Sequence, residues 1–295
     1  MNWTARIGAA LRRHGRAAAK ALWRFNRDDG WAVASHITLS GVLALFPFLI
    51  FCASLVAFFD LGDFPDTVIH LVFDAWPASV AEPIAREVRA VLTEPRGDVL
   101  TLGAAVAMYF ASGGVEALRL GLNRAYRVAE TRNIAVRRIQ SIAFVLGASV
   151  VIATIAFMVV LTPLTLAIAR KFSPEIVAQF PQIVSWRLVV SGAVLTVGLF
   201  AAHRWLPSGK RGFGDVVPGI LLTLAAWLAA SYAFSIYLEG FANYVGTYAG
   251  LAGVMIALIF VYIMSAIFLI GAEYNAALSR VAVPRKADPV TNPDP

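Results

Sequence analysis

Ionisable side chains inside long apolar runs are expensive to bury, so each one in this chain is a functional candidate by default. Three stand out. His36 lies 23 residues before Phe59, Glu273 lies 23 residues after Gly250, and Glu116 lies 18 residues after Asp98. On helices rising ~1.5 Å per residue those separations are about 35, 35 and 27 Å, which gathers all three toward one boundary of a bilayer. Helical phase adds neighbours. At about 100° per residue, His36, Ser40, Pro47 and Ser54 share one face, and Met255, Tyr262, Ala266 and Glu273 share another. The functional expectation is a substrate or ion pathway using His36, Ser40, Pro47, Glu116, Tyr262, Glu273 and Asn275. The competing reading is interfacial, with His36 and Glu273 capping or snorkelling at the membrane surface.

Helix breakers form a second group. Pro47, Pro163, Pro218-Gly219 and Ser112-Gly113-Gly114 all fall within apolar segments. Broken helices can expose backbone polar groups to a substrate, yet small residues and proline also serve ordinary helix packing in membranes. Catalytic signatures are missing. The chain has no G-x-x-x-x-G-K-[ST] and no H-E-x-x-H, and its histidines (His14, His36, His70, His203) are scattered. Asp60, Asp63 and Asp66 do not follow the spacing of a calcium loop. No enzyme, metal site or cofactor is expected.

These residues sit in a chain of 295 residues, 59% hydrophobic and 15% charged, with mean hydropathy +0.72. Soluble domains average about 45–50% apolar and about 25% charged residues, so the excess apolar surface points to lipid. The single Cys52 excludes an internal disulfide. The net charge of +7 fits cytoplasmic loops lying against anionic lipid better than nucleic acid.

A spanning helix needs about 20 mainly apolar residues. Six segments meet or approach this: Ala32–Phe59, Val99–Leu122, Ser141–Ala169, Ile183–Ala201, Val216–Tyr237 and Gly250–Ala272. The second is the weakest, interrupted by Glu116 and Arg119. The first is too long for a signal-peptide core and is expected to stay in place. Nineteen Lys and Arg residues precede the first span or follow the second, fourth and sixth, against six on the alternate side. That asymmetry predicts both termini inside. Residues 1–31 read as a basic amphipathic segment whose Trp3, Leu11, Leu22, Trp23 and Phe25 can lie on the bilayer. The outer loop 60–98 is expected to hold a helix over Ala78–Leu92. Phe241, Tyr244 and Tyr248 suit an aromatic anchor at the outer interface. Residues 279–295, rich in proline, are expected to be a short disordered tail.

The residues also carry a family resemblance. Ala34-Ser35-His36 through Leu45-Phe46-Pro47-Phe48 supply part of it, with Leu122-Asn123-Arg124-Ala125-Tyr126-Arg127-Val128 following. Trp205-Leu206-Pro207 leading to Asp215-Val216-Val217-Pro218-Gly219 is the third stretch. The last runs from Tyr248-Ala249-Gly250 to Gly271-Ala272-Glu273-Tyr274-Asn275-Ala276. In order and spacing these resemble the YihY/BrkB family of bacterial inner-membrane proteins, which once carried a ribonuclease label. The resemblance implies a six-helix inner-membrane protein, linked in some members to serum resistance and virulence, with a role in transport. The expected fold is therefore all-α: a polytopic bundle of six transmembrane helices over residues 32–278, with the amphipathic helix before it and the tail after. The functional expectation is a secondary transporter or exporter of a small solute or lipid-related molecule. The alternative is a non-transporting scaffold for envelope integrity. The expected partners are the phospholipid bilayer, anionic head groups at the Arg/Lys loops and a small solute, with no nucleic acid.

Overall fold

The structure is a computed structural model that describes residues 3–58, 97–156, 181–240 and 249–279. Among the described residues all regular structure is helical: α1 (Trp3–Arg27), α2 (Gly30–Phe58), α3 (Gly97–Tyr126), α4 (Ile134–Ala156), α5 (Pro181–Trp205), α6 (Phe213–Gly240) and α7 (Ala249–Leu278). The helix expected over Ala78–Leu92, Pro163, the loop at Tyr244 and the tail beyond Ser279 lie outside the described residues.

The first helix follows its amphipathic pattern. Ala17, Ala21 and Phe25, four residues apart, are buried, and α1 packs along α7. Arg24 and Arg27 in its last turn complement the negative end of the helix dipole. Asp29 then takes φ 51, a left-handed conformation that Asp tolerates better than most residues, and α2 begins at once. Gly30 is required there. A Cβ at this position would collide with the Phe25 ring.

The seventh helix is the hub, packing against α1, α2, α3 and α6, while α5 bridges α4 and α6. Small residues permit these approaches. Gly121 of α3 sits under Ile37 of α2 and Leu269 of α7. Gly219 of α6 faces the Gly271 carbonyl of α7, and Gly271 in turn faces the Thr223 hydroxyl. The main core joins Val33, Ala34 and Ile37 to Ala117, Leu122, Ala266, Leu269 and Ala272.

Three described helices are long and apolar enough to cross a bilayer: Ile134–Ile155 of α4, Phe213–Leu238 of α6 and Gly253–Leu278 of α7. α2 and α5 contribute shorter apolar stretches, Gly30–Leu45 and Val189–Trp205. Leu43, Val150, Val197 and Leu228 are exposed on the bundle surface, an apolar exterior suited to hydrocarbon. α3 runs unbroken through Ser112-Gly113-Gly114, and α2 continues through Pro47.

Candidate functional site

The described polar side chains gather at one end of the bundle, where α3 leaves, α5 ends, α6 begins and α7 ends. At its centre is Asn275, fully buried on α7. Its Oδ1 accepts the Gly219 N–H at 2.6 Å, and its Nδ2 donates to the Val216 carbonyl at 2.9 Å. Pro218 lies between those two positions inside α6. Asn275 therefore supplies hydrogen bonds where proline disturbs the helix ladder. The same Nδ2 lies 3.2 Å from the Tyr126 hydroxyl, which lies 2.8 Å from His203 Nδ1. Since Asn275 donates to the phenol oxygen, the phenol proton goes to His203 Nδ1, and a neutral imidazole then carries its hydrogen on Nε2. His203 is fully buried against the Phe268 ring at 4.8 Å, and Nε2 has no partner among the described residues. Burial pushes the Tyr126 phenol up to about 12, so it stays a neutral relay. Arg211 covers the other side of Tyr126, 4.1 Å from the ring centre.

A second cluster joins α3 to α4. Arg119 is 2% exposed and pairs with Glu116, donating also to Ser141 Oγ at 2.8 Å and the Arg137 carbonyl at 3.0 Å. Ser141 donates back to Glu116 at 2.8 Å. The two charges that weaken the second predicted span thus neutralise each other at i, i+3 and share α4 partners.

The third cluster ties α1, α3 and α7. Arg127 reaches Asp28 at 2.5 Å and the buried Glu273 at 3.3 Å. Arg127 itself has φ 57. Its N–H bonds Arg124 O at 3.1 Å and the Val128 N–H bonds Asn123 O at 3.0 Å, a Schellman C-cap that ordinarily takes glycine. The strained arginine is held by its ion pairs. Hydrogen bonds from Arg27 and then Arg127, reinforced by their charge and outweighing the opposing burial, keep the Asp28 carboxyl below its ordinary range.

The expected pathway residues separate on this framework. Glu273 and Asn275 lie in the buried base, and Glu116 is half-buried against α4. Tyr262 is half-buried with its ring 6.0 Å from Trp31. Ser40 and Pro47 are half-buried on α2, and His36 is exposed. The inner face of α2 is Val33, Ala34, Ile37 and Thr38, which turns His36 outward. Arg127, not His36, is the partner of Glu273. Sequence reasoning passed over Arg119, Tyr126, Asn123 and His203. His203 was set aside as one of four scattered histidines, although its place at the end of an apolar helix was a signal. Among the described residues no group of three or more His, Cys, Asp or Glu could hold a metal ion.

The family model described as virulence factor BrkB matches residues 21–294. A Bacillus subtilis protein provisionally named ribonuclease-like protein YfkH is 29% identical, covering 92% of this chain and 96% of that protein. A UPF0761 membrane protein of Rhodospirillum centenum is 24% identical over 88% of this chain, which spans only 56% of that longer relative. A UPF0761 membrane protein of Vibrio vulnificus is 25% identical, over 86% of this chain and 80% of its own. No solved structure matches.

Proposed function

The chain belongs to the virulence factor BrkB family, a family of membrane proteins, and we propose that it is a bacterial inner-membrane permease with six spans and both termini in the cytoplasm. The basic segment 1–31 lies on the cytoplasmic face, residues 32–278 form the spanning bundle, and 279–295 follow as a tail. The cargo is a small solute or lipid-related molecule. One observation carries this reading: Asn275, Tyr126 and His203 form a buried polar line across three helices, with an imidazole nitrogen at its end that has no partner among the described residues. A purely structural bundle gains nothing from leaving that nitrogen unpaired, at a cost of about 1–3 kcal/mol. Glu273, two residues before Asn275, and Glu116, bonded to Arg119 and Ser141 in the neighbouring cluster, belong to the proposed pathway, with Ser40, Pro47 and Tyr262 further along; His36 is retained only as an exposed position at its mouth.

A scaffold for envelope integrity is the second reading. It is favoured by close packing of α2, α3 and α7, where the cavity between Phe25, Gly121 and Glu273 holds only about 20 Å³. The two readings part in one experiment. Metabolites in cells and medium are compared between a deletion strain and its parent, and any difference is followed by uptake into proteoliposomes. The permease reading expects uptake by the wild-type protein and its loss in Glu116→Gln or Glu273→Gln. No metabolite difference, with full complementation by both variants, would leave the scaffold. We assign no catalytic activity, and purified protein is expected to show no more ribonuclease activity than the Glu116→Ala/Glu273→Ala double variant.

A further inference from the structure

The turn between α5 and α6 encloses a cavity of about 630 Å³ lined by Thr131, Arg132, Arg204, Trp205, Lys210 and Arg211, among others. That size lies within the roughly 300–1,000 Å³ of small-ligand pockets. Its lining has four cations and no carboxylate. The turn is built rather than loose. Ser208 N–H donates to the buried Asn123 Oδ1 at 2.8 Å, Thr131 and Ser208 hydroxyls lie 3.2 Å apart, and Gly209 makes the bend at φ 87. Three guanidinia are pre-positioned. Arg132 donates to the Leu206 carbonyl at 2.8 Å, Arg211 to the Ser208 carbonyl at 3.0 Å, and Arg204 to the Arg211 carbonyl at 2.5 Å. The two nearest acids are already engaged: Glu130 by Arg132 and Asn123, and Asp215 by the Gly212 N–H. Lys210 has no hydrogen bond or ion pair among the described residues.

We propose that this cavity binds the phosphate head group of an anionic phospholipid from the adjoining leaflet. Arg132 already spends its N–H groups on Glu130, Gln140 and the Trp205 and Leu206 carbonyls, so Arg204, Lys210 and Arg211 carry the spare donors that suit phosphate oxygens, which take charge-assisted hydrogen bonds. Burial, and the like charge of Arg132, lower the Arg211 guanidinium from its ordinary value, as expected where cations outnumber anions. The rim identifies the source. Trp205 and Phe213 are 56% and 67% exposed, and the Phe200 ring lies 6.3 Å from one and 4.9 Å from the other. An exposed aromatic group beside a basic pocket matches the head-group layer of a bilayer, whereas a water-borne phosphate has no use for it.

The inference rests on the membrane placement proposed above, but its test is blind to orientation. The full chain is placed in phosphatidylcholine nanodiscs containing phosphatidylglycerol, extracted in mild detergent, and its retained lipid is measured by native mass spectrometry. Wild-type protein should retain phosphatidylglycerol over phosphatidylcholine. At about 1 kcal/mol per basic residue, Lys210→Gln should lower that retention about five-fold and Arg204→Gln/Lys210→Gln about thirty-fold. Because Lys210 supports no contact in the fold, its single variant keeps the test valid if the double variant is unstable. Arg12→Gln/Arg16→Gln removes the same charge from the α1 surface, where head groups meet the basic segment without the built turn, and should lower retention by less than Lys210→Gln alone. Equal losses from both double variants would reduce the effect to net charge and overturn the site. Displacement of the lipid by millimolar inorganic phosphate would overturn the lipid assignment in favour of a free anion. A reversed topology in cells would sink the permease reading and leave this result standing.

Discussion

At the residue scale the informative positions are those where a local rule is broken and a specific contact compensates. Arg127 occupies a left-handed helix cap, which costs a non-glycine residue about 1–2 kcal/mol. Its links to Asp28 and Glu273 offset that cost. Arg127→Ala and Arg127→Gly lose the same ion pairs, but only glycine also relieves the backbone. The glycine variant should therefore be more stable than the alanine variant by about 1 kcal/mol in detergent unfolding; equal stability would mean the cap is unstrained. The same contacts give Glu273 to Arg127, although helix length puts His36 at a comparable depth. Arg127→Ala and Glu273→Gln should be non-additive by about 1 kcal/mol, since Arg127 is partly exposed. His36→Ala and Glu273→Gln should add within about 0.5 kcal/mol, and coupling between them would mean that His36 reaches Glu273 after all. Glu116, Glu273 and Asn275 were legible as candidates because buried polar groups are costly in lipid. Their partners were not legible. Periodicity places residues on one helix face, but which neighbouring helix meets that face depends on packing. His36 shows the limit, since its stripe on α2 is real while its direction is not inward.

At the element scale, helix existence was easy to read and helix contact was not. Each described spanning segment predicted from hydropathy corresponds to a helix, with ends displaced by several residues where polar turns extend the backbone ladder. α3 reaches Tyr126 rather than Leu122, because Asn123 and Arg124 still find partners in the adjoining loops. The small-residue positions were visible in the sequence, but their roles differ. Gly219→Ala would drive a Cβ into the Gly271 carbonyl, and overpacking against backbone costs about 1–3 kcal/mol. Gly113 has open space where its Cβ would go, so Gly113→Ala should be neutral or stabilising by up to about 1 kcal/mol. Thermal midpoints of the two variants check this, and equal effects would contradict the assigned α6–α7 contact. The clamp holding the turn before α4 is testable by acid. Hydrogen bonds from Arg132 lower the Glu130 carboxyl to about 2. A depressed carboxyl contributes stability above its unfolded value of about 4.3 and loses it as pH falls toward 2. Glu130→Gln should flatten the stability-against-pH profile in that window and leave it unchanged above pH 6. An unchanged acid limb would mean the carboxylate is not engaged.

At the scale of the whole molecule, the described chain is an apolar-surfaced helical bundle whose polar groups collect at one end. Composition and hydropathy made the membrane class legible, because no fold can hide so much apolar surface in a chain with so little charge. The collection of His203, Tyr126, Asn275 and Arg119 at that end was not legible. They come from three separate helices, and each looks ordinary in its own segment. The permease reading places this end at the cytoplasmic face, on the evidence of the Lys and Arg distribution, whereas the head-group site needs only a leaflet beside it. Alkaline phosphatase fusions test that placement most directly. Fusions after Asp66 and Asn243 should be active, and fusions after Arg132, Gly209 and Lys286 inactive, with green fluorescent protein at the last three fluorescing in the cytoplasm. Phosphatase activity after Arg132 or Gly209 would put the polar end outside and contradict the account.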